Sequence, residues 1–584
     1  MPFLAIESRC GVRISALPLN PTSPQPWSSL ISKMMFGARS AWAVMANRRS
    51  EMKRQNFMEF GLARRDQRYQ RIARDKTTIA LLRTGRYRSG SMTTPFGTPS
   101  PRTRLFWTLV LFLGGLVPGF ANGLVTLDSF PQDQQLYPRD VASNTAEVVV
   151  SGSFDADHLQ AVHLRVSREG KSWQSFQAKA KNDRTPFTFR VRLPAELANF
   201  TFELRAQDET GIWHDITAAR KVVAGDVFVI NGQSNAAAGL FSTPGEGKAD
   251  ANDFVRSYGS MFKEDTDKPW PNLDAWSVVR AECRPFSQFT ACAGRWGLRF
   301  ASKLVAGEQV PVAIINHARG GKPIEYFTPN PTNALDLTTN YGTLLTRLQK
   351  AGLDDSIRGL LWYQGESDRL DPQGHIDGFT ALFQDWQAAF PSIERYYVFQ
   401  IRHTCVPRDK ELGQGSQIAN FQREFARDRT HVTAVPTTGL DGHDGCHFKY
   451  FEGYQRMGDT VARMVRGDLY EPTLADADAP EIQSVKRVGP RSLELTFGAA
   501  NTLRGEEGFE ALFELNNHQT GTVYPIVDGS VVDGKAVRLT LKDPAPEDAD
   551  LRLSYLSLPG EQAWLTTNSG IGILSFFKVP VDAP

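Results

Sequence analysis

Short apolar runs recur through the middle of the chain, at VFVI (227–230), PVAII (311–315), GLLWY (359–363), YYVFQI (396–401) and VTAVP (432–436). Each is bounded by polar turn-formers and is too short for an amphipathic helix, so each reads as a buried strand. Between them lie longer stretches with apolar residues at helical spacing, such as RWGLRFASKLVA, YGTLLTRLQKAG and DGFTALFQDWQAAF. Strands separated by helices predict an α/β domain with a mostly parallel sheet, placed here at residues 223–472. Ligands of such sheets bind beyond the carboxyl ends of the strands. Polar clusters follow these strands: NGQSN, NHARGG, QGESD, RHTC and TTGLDGHDGCHF.

The flanks have another rhythm. AEVVVSGSF, LQAVHLRVSR, FTFRVRL and TFELRAQD are short and often alternating, which predicts an antiparallel β domain of the sandwich or jelly-roll kind over 122–222. After a joint rich in Asp, Ala and Pro, RSLELTFG, AVRLTL, LRLSYL and GILSFFKVPV predict a second β domain over 478–584. Its aromatic residues are read as core, with exposed sugar platforms as the alternative.

The net charge of +2 conceals an asymmetry. Residues 1–104 hold 19 Lys or Arg against 5 Asp or Glu, leaving 47 basic and 59 acidic residues in the rest. The chain beyond 104 therefore lacks the basic footprint of a nucleic-acid binder. At the junction, basic Arg102 and Arg104 precede an apolar run from Leu105 to Val117, followed by Gly119 and Ala121 before Asn122. That order is the grammar of a signal peptide, and the run is short for a membrane span. Residues 92–121 are expected to be a signal peptide and 1–91 a basic extension, non-native or disordered. The mature protein is expected to be periplasmic or secreted and without a membrane anchor.

Cys10 precedes that cleavage point, leaving Cys283, Cys292, Cys405 and Cys446, an even set that suits disulfides in an oxidising compartment. Four cysteines allow three pairings. The short interval from Cys283 to Cys292 favours a local staple, which would leave Cys405 with Cys446. No CxxC spacing suggests a metal site, and neither metal nor organic cofactor is expected.

Ser234 sits where the strand VFVI ends and a small-residue run can open a helix, so its hydroxyl can face a cleft. A serine there has chemistry only with a base and an oxyanion site. HDGCHF supplies a base, because Asp444 lies three residues before His447, and a tight loop can fold the carboxylate onto one imidazole nitrogen. His443 is the rival base in the same loop.

GQSN, WYQGES and DGCH together resemble the SGNH hydrolase superfamily, in the branch of sialate O-acetylesterases and acetylxylan-type carbohydrate esterases. The resemblance covers about 225–470 and implies a three-layer fold. It implies Ser234, Asp444 and His447 as the catalytic set, with oxyanion donors from the Ser234 amide, Gly294 and Gln364. Gly297, one helical turn beyond Gly294, could serve in its place. Asn235, Gly365 and Glu366 are implied as supporting residues, Glu366 orienting rather than acting as an acid. The implied activity is removal of O-acetyl groups from an acetylated mono-, oligo- or polysaccharide through an acetyl-enzyme. The alternatives are deacetylation of xylan or another polysaccharide, and an inactive carbohydrate-binding protein.

Overall fold

The computed structural model describes residues 123–239, 246–259, 274–280, 291–402, 413–498, 502–555 and 563–583. The basic extension and the expected signal peptide lie outside them.

The central element is a strand of twenty residues, β1 (Trp213–Gly232). Its first half pairs antiparallel with Phe200–Asp208 of the N-terminal region, and from Asp226 onward it pairs in parallel, with Val312–Asn316 on one side and, from Phe228, with Gly359–Tyr363 on the other. The expected boundary at 222/223 thus falls inside one strand. Asp226 sits at that crossing, almost fully buried. Arg139 grips it with two hydrogen bonds of 2.8 Å, Arg358 lies 3.3 Å away and the Tyr470 hydroxyl donates to it at 2.6 Å. Removing one partner from such a buried cluster costs about 3–5 kcal/mol, because the remaining charge stays out of water.

The other central strands are β2 (Val255–Tyr258), β3 (Trp276–Val278), β4 (Val312–Asn316), β5 (Gly359–Tyr363), β6 (Arg395–Phe399) and β7 (Val432–Val435). Their order is β3-β2-β4-β1-β5-β6-β7, with β3 antiparallel at the edge and the other neighbours parallel. The sheet is mixed overall, since β1 carries it on into antiparallel strands of the N-terminal region. Helices α1 (Arg295–Glu308) and α5 (Gln455–Leu469) cover the face that Phe228, Ile230, Leu361 and Tyr363 present. Helices α2 (Asn340–Ala351) and α3 (Pro372–Ala389) cover the opposite face, with Val227, Val229, Leu360 and Trp362. The period-2 alternation of adjacent residues between two cores explains why the strands read as continuous apolar runs. α4 (Gly413–Arg427) sends Ile418 to the first core and Phe425 to the second.

Local chemistry sets the helix starts. The Thr339 hydroxyl accepts the Gly342 amide at the head of α2, and Asp371 accepts the Gly374 amide before Pro372 opens α3. These caps satisfy amides that a helix leaves without internal partners.

Two β layers of the N-terminal region, one of them running into β1, share a core that includes Val148, Val162 and Phe200. The C-terminal region has two four-stranded antiparallel sheets and a two-stranded one around Leu493, Leu553, Tyr555 and Trp564.

Candidate active site

The chain leaves β1 toward β2 and leaves the adjacent β4 toward β5, in opposite directions along the sheet. That is a topological switch point, where a cleft opens beyond the strand ends. Gly232 makes the exit possible: it has φ +128°, and a Cβ there would stand 2.2 Å from the Tyr363 carbonyl oxygen. The following residues, Ser234–Ala237, form one helical turn.

From the other end of the domain, His447 brings Nε2 to 2.9 Å from Ser234 Oγ. The two residues are 213 positions apart. His443 does not take this place. Its Nδ1 accepts the Gly445 amide at 3.0 Å, and it bridges to Phe448.

Asp444 approaches His447, but not as the expected ring partner. Its Oδ2 is 3.8 Å from Nδ1, an ion-pair distance, whereas Oδ1 accepts the amides of His447 at 2.7 Å and Cys446 at 2.9 Å. Burial alone would raise the Asp444 carboxyl, yet those amides and the neighbouring imidazole hold it below the usual carboxylate range. Burial pulls His447 below its ordinary value, and Asp444 opposes this only in part.

Asn235 is fully buried and ties the nucleophile turn to its surroundings. Its Nδ2 donates to Glu366 Oε1 at 2.9 Å and to the Cys446 carbonyl at 3.1 Å, its Oδ1 accepts the Tyr454 hydroxyl at 2.9 Å, and its carbonyl accepts Trp296 Nε1 at 2.8 Å. The turn bearing Ser234 and the turn bearing His447 thus share one amide. Glu366 is buried, and burial pushes its carboxyl up to about 7 against the pull of Asn235. Gly365, at φ +141° beside Ile401 and Ile418, shapes the loop, and its amide is 3.4 Å from Gln233 Oε1.

One expected oxyanion donor, Gln364, is engaged elsewhere. Gln364 is fully buried, and its Nε2 donates to Asp368 Oδ2 at 2.6 Å and to the Lys322 carbonyl at 3.3 Å. Both amide hydrogens are thereby engaged, one by the buried Asp368 carboxylate and one by the Lys322 carbonyl. Gly294 caps α1 at φ +78°, and the atom nearest to its open side is the Ala237 carbonyl oxygen, 2.7 Å from where a Cβ would stand. Gly297 faces Ile230 in the core. Gly320 is set against the nucleophile, and a Cβ there would lie 3.5 Å from that of Ser234. NHARGG carried the signal for it, a glycine pair after a strand, but distance along the sequence did not reveal which loop folds over Ser234. Asn316, in the same cluster, ties Ala236 and Ala293 together through Nδ2.

Cys292 and Cys446 are buried and neither is a free thiol. Cys283 and Cys405 lie outside the described residues.

Residues 224–466 match the family model described as carbohydrate esterase, sialic acid-specific acetylesterase. The central domain is a carbohydrate O-acetylesterase domain. The esterase domain and its flanks also resemble a carbohydrate acetylesterase from Xanthomonas citri, at 21% identity and a TM-score of 0.53, over 77% of this chain and 99% of that one. At that identity the likeness establishes a shared fold. Smaller likenesses join it to a protein from Arabidopsis thaliana (18% identity, 41% of this chain and 96% of that one, TM-score 0.29). The same holds for an active-site mutant of a family two carbohydrate esterase from Clostridium thermocellum (12% identity, 56% and 95%, TM-score 0.26). No curated protein gives a significant sequence match.

Proposed function

We propose that the protein is an exported serine esterase that removes O-acetyl groups from acetylated sugars, with a preference like that of the sialate O-acetylesterases, through an acetyl-enzyme. The observation that carries this reading is the contact of 2.9 Å between Ser234 Oγ and His447 Nε2 at the switch point of the esterase sheet.

In this reading Ser234 Oγ attacks the acetyl carbonyl carbon while His447 Nε2 takes the hydroxyl proton. The negative charge on the carbonyl oxygen meets backbone amides of Ser234 and of the Gly320 loop, held in place before the reaction begins. The bond to the sugar oxygen breaks as His447 returns the proton to it. Water, deprotonated by the same nitrogen, then releases acetate and restores Ser234. Asp444 keeps the His447 backbone in position and supports the imidazolium from its ion-pair distance.

The reading extends to the rest of the chain. Cleavage after Ala121 would deliver the protein to an oxidising compartment, where Cys446 pairs with Cys405 and Cys292 with Cys283. The engaged state of Cys292 and Cys446 supports this.

Acetate release from a panel of O-acetylated sialic acids, xylo-oligosaccharides and other acetylated sugars tests the function. Turnover that favours acetylated sialic acid and disappears in Ser234→Ala is expected. No release from any of them by the folded wild-type protein overturns it.

A further inference from the structure

The turn that carries His447 is rooted in the C-terminal β region. Trp564 belongs to the core of that region and is 1% exposed, yet its indole Nε1 donates out of it to Asp441 Oδ1 at 2.7 Å. The other oxygen of Asp441 accepts Arg456 Nη1, from α5, at 3.1 Å. A carboxylate gripped on both oxygens by donors from two separate elements is fixed in position and in rotation.

Asp441 is the base of the turn. The chain reverses at Gly442, with φ +63°, and the Lys449 amide comes back to the Gly442 carbonyl. Inside that closure the Asp444 amide bonds to the His447 carbonyl at 3.0 Å, and His443 bridges to Phe448. His447 therefore rides on a closed loop, which leaves Asp441 at its base and is held at Cys446 by Asn235.

The same C-terminal region grips the approach to this point. Gln400 and Ser575 exchange hydrogen bonds of 2.9 and 2.8 Å, the Thr438 hydroxyl donates to the Ile573 carbonyl, and Gly439 abuts Gly572. These contacts seat the region. Among the described residues, the indole N–H joins its core to the carboxylate beneath the base.

We propose that Trp564 is a positioning residue for the esterase reaction: its N–H, acting through Asp441, sets the turn that aligns His447 with Ser234. The C-terminal region is thereby part of the catalytic apparatus, not an appended module. The proposal rests on the serine–histidine reading of the site.

The full chain processed to its mature form is assayed as wild type, Trp564→Phe, Asp441→Asn, Asp441→Ala and Ser234→Ala. Phenylalanine keeps an aromatic ring in the core and removes the donor. Asparagine keeps an oxygen for the indole and removes the charge facing Arg456. kcat and KM for an aryl acetate are read together with melting temperature and the fraction of enzyme titrated by a serine-directed phosphonate. A displacement of about 1 Å at the reacting atoms costs up to ~10²-fold in rate. Trp564→Phe should therefore lose about tenfold or more in kcat per titrated site with KM within about twofold, and Asp441→Asn should keep most of its kcat.

Wild-type kcat per titrated site in Trp564→Phe overturns the proposal. If that variant does not fold, the Asp441 pair decides: a loss in Asp441→Ala that Asp441→Asn does not share supports the clamp, and equal kcat in the two overturns it. Undiminished turnover by Ser234→Ala overturns the serine–histidine reading itself, and the clamp with it.

Discussion

Asp444 holds the backbone of His447 more closely than its ring. Oδ1 accepts the His447 amide at 2.7 Å, while Oδ2 remains 3.8 Å from Nδ1. The carboxylate thus shapes the turn first and stabilises the imidazolium second.

This ordering makes the two obvious substitutions diverge. Asp444→Asn keeps an oxygen for both amides and should lose roughly 10- to 10²-fold in kcat, less than the ~10⁴-fold loss seen where a triad aspartate bonds directly to the imidazole. Asp444→Ala removes the acceptor as well and should lose more. The comparison is made by steady-state kinetics on one acetyl ester.

The pH profile carries a second expectation. A general base must be neutral, and burial holds His447 below its ordinary 6.5. kcat/KM of the wild type should therefore hold its plateau down past pH 6.5 and fall only in more acidic buffer. Because the Asp444 charge raises the His447 value, Asp444→Ala should move the acid limb to still lower pH. A limb above 6.5, or one that moves upward in the variant, contradicts this assignment.

Gln364 is expected to behave as a structural residue. Its amide satisfies buried Asp368, and stranding a buried polar group costs about 1–3 kcal/mol or more when it is charged. Gln364→Ala should lower the melting temperature by several degrees, while kcat per folded molecule stays within about tenfold of wild type. A loss of roughly 10²- to 10³-fold in kcat at unchanged stability would restore it as an oxyanion donor.

Glu366 links stability to pH. Its folded value of about 7 stands above the ordinary 4.5, so between these values the folded protein keeps a proton that the unfolded chain releases. Stability should fall as pH rises through that window, and the full penalty, up to about 3 kcal/mol, stands above it. Glu366→Gln keeps an acceptor for Asn235 and removes the titration. Urea denaturation at both ends of the window should show wild type losing stability relative to the variant at the higher pH. Parallel behaviour of the two proteins removes Glu366 as the source.

The sequence by itself determined five strands of the central sheet, though not β2 or β3, and the helices α1 to α3, because period-2 burial between two cores and capping residues such as Thr339 and Asp371 are local facts. It also marked Ser234 and His447, since each stands in a polar cluster just beyond a buried strand. Only the tertiary structure decided the rest. Which glycine lies against Ser234 depends on how the loop after β4 crosses the end of β1, which sets Gly320 beside the nucleophile. Which way the Gln364 amide points depends on the burial of Asp368, an acceptor on the same loop whose other contacts come from the loop after β4 and from α3. The joining of Asp441 to Trp564 spans 123 positions and two domains. Such pairings follow from the need of buried donors and acceptors to find one another once water is excluded, and that need arises only when the elements have packed.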